Sequence, residues 1–260
     1  MVPAELCPAA GPPTAVVTGA ARRIGAALAR ALAADGWHLV LHCHRSVAEA
    51  EALAGELADA TGRPPRVIAH DLGAPDAGAA ILGQCPSPPT LLVNNASQFV
   101  EDGLQDFTAA GWDRQLAVNL RGPALLTQAF AAGLPEGAGG LVVNLLDAKL
   151  SAPNPDYFSY TISKIGLAGV TELSARALAP RVRVNAIAPS VTLVSGPQSR
   201  ADFERAHVFN PLHRGVDVAD VVGALRYLVA TATVTGQTLT IDSGQRFLGL
   251  PRDVAYMVGR

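Results

Sequence analysis

Thr14-Ala15-Val16-Val17-Thr18-Gly19-Ala20-Ala21-Arg22-Arg23-Ile24-Gly25 decides the fold of this chain. Thr14–Val17 is a short apolar run of strand type, and from Ile24 to Asp35 the apolar residues recur at helical spacing. Gly19 and Gly25 bracket the turn between them. A strand that runs through a glycine turn into a helix offers backbone N–H groups and the positive end of the helix dipole to an anion such as a pyrophosphate. Two glycines six apart are common in turns. Their place directly behind the first strand gives them weight.

The remaining sequence repeats that alternation. Strand-type runs occur at His38–His42, Arg66–His70, Leu91–Asn94, Leu141–Leu145, Val182–Ile187 and Thr238–Ile241. Helical patterns lie between them at Val47–Ala60, Ala74–Leu82, Gly111–Ala132, Tyr157–Leu178 and Val218–Ala230, the third softened at Gly122-Pro123. Strands separated by helices of this length predict β-α-β crossovers. The expected fold is a single α/β domain of Rossmann type, a doubly wound parallel sheet with helices on both faces. Residues 1–13 are expected to be a disordered lead and 14–260 the domain. Residues 190–215 lack periodicity, and a long irregular segment in a compact domain is usually functional, so a substrate lid is expected there.

Composition agrees with a covered sheet. Of 260 residues, 49% are hydrophobic and only 16% charged, as a sheet buried on both faces requires. The net charge is −2 without a basic patch, which argues against a nucleic-acid partner. No apolar run is long enough to span a membrane, and MVPAELCPAAGPP lacks the pattern of a signal peptide. Cys7, Cys43 and Cys85 are far apart with no C-x-x-C, which suits a reducing cytoplasm. His42 and His44 share one strand face, but no second ligand cluster accompanies them, so no metal is expected.

Tyr160-Thr161-Ile162-Ser163-Lys164 carries the chemistry. Tyr and Lys four apart on one helix share a face. The ammonium is expected to lower the Tyr160 pKa and equip it to pass a proton beside a hydride-transfer centre. Asn94-Asn95-Ala96-Ser97 ends the fourth strand, where ligands lie in such sheets. Asn119 falls mid-helix, where Asn is a poor helix former, and is expected to mark a kink holding a water or the Lys. The second strand ends His42-Cys43-His44-Arg45-Ser46. An NAD site would place an acid there for the ribose diol. Arg45 and Ser46, with Arg22 in the neighbouring turn, suit a 2′-phosphate instead, so NADPH is the expected cofactor. Asp71, after the third strand, would contact adenine or cap the next helix.

From about Thr14 to Gly244 this order of motifs resembles the short-chain dehydrogenase/reductase family. Two departures are informative. The common loop, T-G-x-x-x-G-x-G, has Arg23 at its middle Gly. The usual catalytic Ser, thirteen residues before the Tyr, is Asp147. Both resemble the pteridine reductase branch. So do His44-Arg45-Ser46-Val47-Ala48-Glu49-Ala50, Asn95-Ala96-Ser97-Gln98-Phe99 and Pro211-Leu212-His213-Arg214. The resemblance implies catalytic roles for Asp147, Tyr160, Lys164 and Asn119. It implies that Gly19, Arg22, Arg23, Ile24, Gly25, His44, Arg45, Ser46, Asp71 and Leu72 hold NADPH. Asn95, Ala96, Ser97, Tyr160, Lys164, Pro189 and Thr192 would complete that set. A pterin would meet Arg23, Ser97, Phe99, Asp147 and Tyr160, stacking on Phe99. The implied reaction is NADPH-dependent reduction of a dihydropterin such as dihydromonapterin or dihydrobiopterin, with dihydrofolate as a further candidate, by a homotetramer. A carbonyl reductase and an NADPH-binding regulatory protein are the alternatives. The tail from Arg246 to Arg260 carries no pattern that assigns it a role.

Overall fold

The structure, a computed structural model, describes residues 2–8, 11–194 and 198–258. Seven strands form one all-parallel sheet: β1 (Thr14–Thr18), β2 (His38–Cys43), β3 (Arg66–Ala69), β4 (Leu91–Asn94), β5 (Gly140–Leu145), β6 (Val182–Pro189) and β7 (Thr238–Ile241), in the order β3-β2-β1-β4-β5-β6-β7. The strand order reverses between β1 and β4, which opens a crevice at their carboxyl ends.

Period-two alternation explains why both faces are covered. Val16, Val40, Leu92 and Val142 pack with residues from α3 (Ala77–Leu82) and α5 (Gly122–Gly133), such as Ile81, Leu126 and Phe130. Val17, Leu41, Val93 and Val143 pack on the opposite side. There they meet Leu28 of α1 (Arg23–Ala34), Leu53 of α2 (Val47–Thr61) and Leu225 of α8 (Val218–Ala230). The central strands are apolar on both faces, as a doubly covered sheet demands.

Three differences from the expected layout affect the site. The helix expected over 111–132 is two helices, α4 (Ala109–Leu116) and α5, joined by a π-helical turn at Ala117–Arg121. Pro123 has no N–H to give the Asn119 carbonyl four residues back, and the Gly122 N–H reaches back to Ala117 O instead. The break therefore falls on Asn119, one turn ahead of Gly122-Pro123. The expected lid is not irregular throughout. It contains α7 (Arg200–His207), whose Ser199 hydroxyl accepts from the Asp202 N–H at 3.1 Å. Ser195, Gly196 and Pro197 of that lid lie outside the described residues, as do Met1, Ala9 and Ala10 of the expected disordered lead. The described part of the lead packs on the domain. Leu6 is buried, its carbonyl accepts from the Thr90 hydroxyl at 2.6 Å, and Glu5 pairs with Arg183 at 3.0 Å.

Helix α6 (Phe158–Leu178) carries the Tyr/Lys pair. Past β7 the chain runs through a short 3-10 turn, Gln245–Leu248, into α9 (Val254–Met257). Among the described residues no helix is long and apolar enough to cross a membrane.

Candidate active site

A cleft of about 790 Å³ lies along the carboxyl ends of the strands. That volume accommodates a dinucleotide end and a small flat substrate. Every site residue expected from the sequence lines it except Asn119.

The glycine turn forms one end. Gly19 has φ +61°, and a Cβ on it would stand 2.9 Å from the Ala96 Cα. A Cβ on Gly25 would lie 2.2 Å from Gly19 O and 2.6 Å from the Asn95 amide nitrogen. Only hydrogen side chains allow turn, helix and β4 end to meet. Asn95 Nδ2 donates to Thr18 O at 2.8 Å, and the Asn95 and Ala96 N–H groups both donate to the Thr18 hydroxyl at 3.0 Å. Arg22 precedes α1 without capping it through its side chain, and that end of the helix faces the cleft. Arg23 has φ 56°, a left-handed conformation that glycine adopts freely and that costs an L-residue roughly 1–2 kcal/mol. The common glycine at this position thus has a backbone reason. The Arg23 guanidinium reaches across the cleft to Val194 O at 2.6 Å.

At the end of β2 the glycine turn and the start of α2 meet through Arg22. The Arg22 guanidinium donates to the Ser46 hydroxyl and pairs with Glu49 at 3.0 Å, while His44 and Arg45 are exposed beside it. His42 is buried with both ring nitrogens used, Nε2 on His70 O at 2.9 Å and Nδ1 on the Gly19 N–H at 3.4 Å. Burial pulls its pKa down to about 4, so the ring is neutral. His42 is therefore a strut for the turn, and His44 gains no partner ligand from it. Asp71 neither caps α3 nor stands free. Arg114 of α4 grips it through two hydrogen bonds of 2.8 and 2.9 Å, and that contact holds its carboxyl down to about 2. Leu72 is buried behind it, and Pro189 and Thr192 form the wall at the end of β6.

Tyr160 and Asp147 meet at the centre. The Tyr160 hydroxyl donates to Asp147 Oδ2 at 2.8 Å, and Asp147 Oδ1 accepts from the Lys149 N–H at 2.8 Å. Burial first, and then the Asp147 carboxylate, push the Tyr160 pKa well above its ordinary 10. This corrects the expectation of a lowered value. Lys164 Nζ is turned to the Leu145 carbonyl, 2.7 Å away, and stands 5.7 Å from the Tyr160 ring centroid. Burial brings the Lys164 pKa down to about 8. The phenol is thus a protonated acid held by a carboxylate.

Asn119 is wholly buried but serves the neighbouring loop. Its Oδ1 accepts from the Gln98 N–H at 2.7 Å and the Ser97 hydroxyl at 3.3 Å. Its Nδ2 donates to Gln98 O at 2.8 Å and the Ser163 hydroxyl at 3.0 Å. Among the described residues it makes no hydrogen bond to Lys164; its side chain holds the Ser97-Gln98 loop and Ser163.

Phe99 is 43% exposed in the cleft. Its ring stacks on Tyr157 with centroids 4.1 Å apart and meets Tyr160 edge-on at 4.7 Å. Tyr157 was not foreseen. It begins α6 at φ 54°, and its only signal was an aromatic three residues before Tyr160. Lys149 and Asp253 were also missed. Both line the cleft and approach to 3.5 Å, although they are 104 residues apart.

A family model described as short chain dehydrogenase matches residues 13–204. Two solved structures are similar over nearly the whole chain. Both are FolM alternative dihydrofolate reductase 1 in complex with NADP. That of Brucella suis is 41% identical, with a TM-score of 0.86, covering 90% of this chain and 95% of that one. That of Brucella canis is 40% identical, with a TM-score of 0.88, covering 94% and 97%. A 3-oxoacyl-[acyl-carrier-protein] reductase of Synechocystis is 32% identical over 88% of this chain and 95% of its own length.

Proposed function

The chain belongs to the short-chain dehydrogenase family of oxidoreductases, and on that premise we propose that it is an NADPH-dependent reductase of dihydropterins. The observation that carries this reading is the Asp147 carboxylate on the Tyr160 hydroxyl, 2.8 Å away, in a cleft walled by Phe99.

The cleft fits NADPH. The Gly19–Gly25 turn lines the cleft at the start of α1, where a pyrophosphate would lie. Arg22, Arg45 and Ser46 supply donors for a 2′-phosphate where a diol-binding acid would otherwise stand. Both Brucella relatives are NADP complexes, which supports the same choice here. Lys164 has two N–H donors beyond the one on Leu145 O and would grip the nicotinamide ribose. When bound, NADPH supplies the hydride.

The chain's own groups supply the proton and the geometry. Phe99 offers a ring face to a flat heterocycle. Tyr160, protonated at neutral pH, gives its proton to a ring nitrogen as that nitrogen gains electron density. Asp147 orients the hydroxyl and, as a carboxylate, would favour the protonated form of a basic heterocycle over a neutral ketone. A serine there has no charge to offer. Arg23 and Ser97 border the same space and would hold the polar edge of the pterin or the cofactor phosphate. We further propose a homotetramer in the cytoplasm, consistent with three free cysteines.

Purified protein is mixed with NADPH or NADH and a panel of dihydropterins, dihydrofolate and simple ketones, and loss of reduced-cofactor absorbance is followed. Dihydropterin turnover with NADPH preferred is the expected outcome. Brisk ketone reduction without pterin turnover would assign a carbonyl reductase. Tight NADPH binding with no turnover would assign a regulatory protein.

A further inference from the structure

The far end of the cleft is built by the chain's own C-terminal segment. Leu250, Asp253, Val254 and Ala255 line it. The Asp156 carboxylate anchors that segment, accepting from Arg252 Nε at 2.8 Å and from the Asp253 N–H at 2.7 Å. Tyr256 continues the stack of Phe99 and Tyr157, its centroid 6.2 Å from that of Tyr157, and its hydroxyl donates to Glu101.

This fold-back brings a charged pair beside the aromatic shelf. Asp253 Oδ2 lies 3.5 Å from Lys149 Nζ, and Oδ1 caps α9 through the Ala255 N–H at 3.1 Å. The Lys149 ammonium is mostly spent: it donates to Asp156 O, lies 5.3 Å from the Tyr157 centroid, and its side chain is 8% exposed. The Asp253 side chain keeps 21% of its exposure. Asp147 adds a second carboxylate to the same wall. Arg246 and Arg252 of the same segment are committed to Asp242 at 3.1 Å and to Asp156 at 2.7 Å. The wall beyond the shelf therefore presents acceptors and net negative charge.

We propose that Asp253, balanced by Lys149, selects the side chain of the pterin: it accepts hydrogen bonds from a short hydroxylated chain and repels one that ends in carboxylates. This inference rests on the dihydropterin reading above and assigns the C-terminal segment as its selectivity wall. Hydroxyls donate to a carboxylate acceptor. An anionic chain brought against Asp253 and Asp147 meets like charge in a partly desolvated cleft.

The test compares kcat/KM for a dihydropterin with a hydroxylated side chain against dihydrofolate, whose side chain ends in glutamate. The unmodified protein is expected to favour the former. Asp253→Asn keeps the α9 cap acceptor, because Asn caps as well as Asp. It should lower the preference by about tenfold or more, the scale of a removed like-charge contact, with the change in KM rather than kcat. Lys149→Gln unbalances the carboxylate and should shift the preference the opposite way, again through KM. NADPH affinity, read by cofactor fluorescence, reports folding in each variant. A native preference for dihydrofolate, an unchanged ratio in the variants, or an equal fall in kcat for both substrates would overturn the inference while leaving dihydropterin reduction standing. No pterin or folate turnover by the unmodified protein would overturn both.

Discussion

Tyr160 shows how burial overrides a motif. Tyr and Lys four apart on a helix suggest a depressed phenol, yet the nearest charge to the hydroxyl is Asp147, and Lys164 Nζ is turned to Leu145 O. For a reductase this is useful, since the acid must arrive protonated. Tyr160→Phe should keep NADPH affinity and lower pterin turnover by roughly 10²–10⁴, the usual worth of a general acid. Parental turnover in the Phe variant, measured by stopped-flow NADPH oxidation, would place the donor elsewhere. His42 supports a second prediction. Its folded pKa of about 4 lies below its ordinary 6.5, so the unfolded chain binds the proton first as pH falls. The neutral-His contribution is complete above about pH 6.5 and declines as pH drops towards 4, by on the order of 3 kcal/mol. Melting curves across this range should show a shallower acid decline in His42→Gln. Identical slopes in both proteins would remove His42 from the account.

At the scale of elements, the π turn between α4 and α5 lets one side chain organise two others. It presents Asn119 to the Ser97-Gln98 loop and to Ser163 of α6 at once, and a regular helix through Pro123 would lack a donor there. Asn119→Ala would leave the half-buried Gln98 N–H and C=O unpaired and cost the buried Ser163 hydroxyl one of its two hydrogen bonds, a loss of about 1–3 kcal/mol. Chemical denaturation should show a loss of that order, and the pterin KM should rise because the loop carrying Ser97 and Phe99 loosens. A variant as stable as the parent, with an unaltered KM, would mean the loop holds itself. The glycine turn works at the same scale. Gly19, Gly25, Asn95 and Ala96 join the ends of β1 and β4 through contacts that no bulkier residue fits.

At the scale of the whole molecule, the proposed homotetramer is expected to cover apolar residues that one copy leaves exposed. Helix α6 leaves Ile165 at 47% and Leu173 at 68% exposure, and Leu104 at 68% lies in the loop ahead of α4. Such residues commonly mark an association surface. The proposed homotetramer would cover α6, and Leu173→Arg should shift the protein to smaller species in sedimentation velocity. A parent that sediments as a monomer would discard the tetramer. The C-terminal segment belongs to this scale too, since Arg252 and Asp253 reach Asp156 across 96 and 97 residues of chain.

The alternation of apolar runs and helical patterns was enough to predict a parallel, doubly covered sheet, because strand and helix periods are local properties of the chain. The ends of β4, α8 and β7 lie at the expected residues. Nearly every site residue that the motif order named lines the cleft. What lay beyond local pattern was decided by tertiary contact. The protonation of Tyr160 depends on how deeply α6 is buried and where Asp147 arrives. The work of Asn119 depends on which loop lies opposite its turn. The far end of the cleft depends on a tail too short to carry a period, docked through the Asp156, Lys149 and Tyr157 side chains. A sequence records the propensities of neighbours along the chain; charge, burial and partner at a site are set by residues far apart in it.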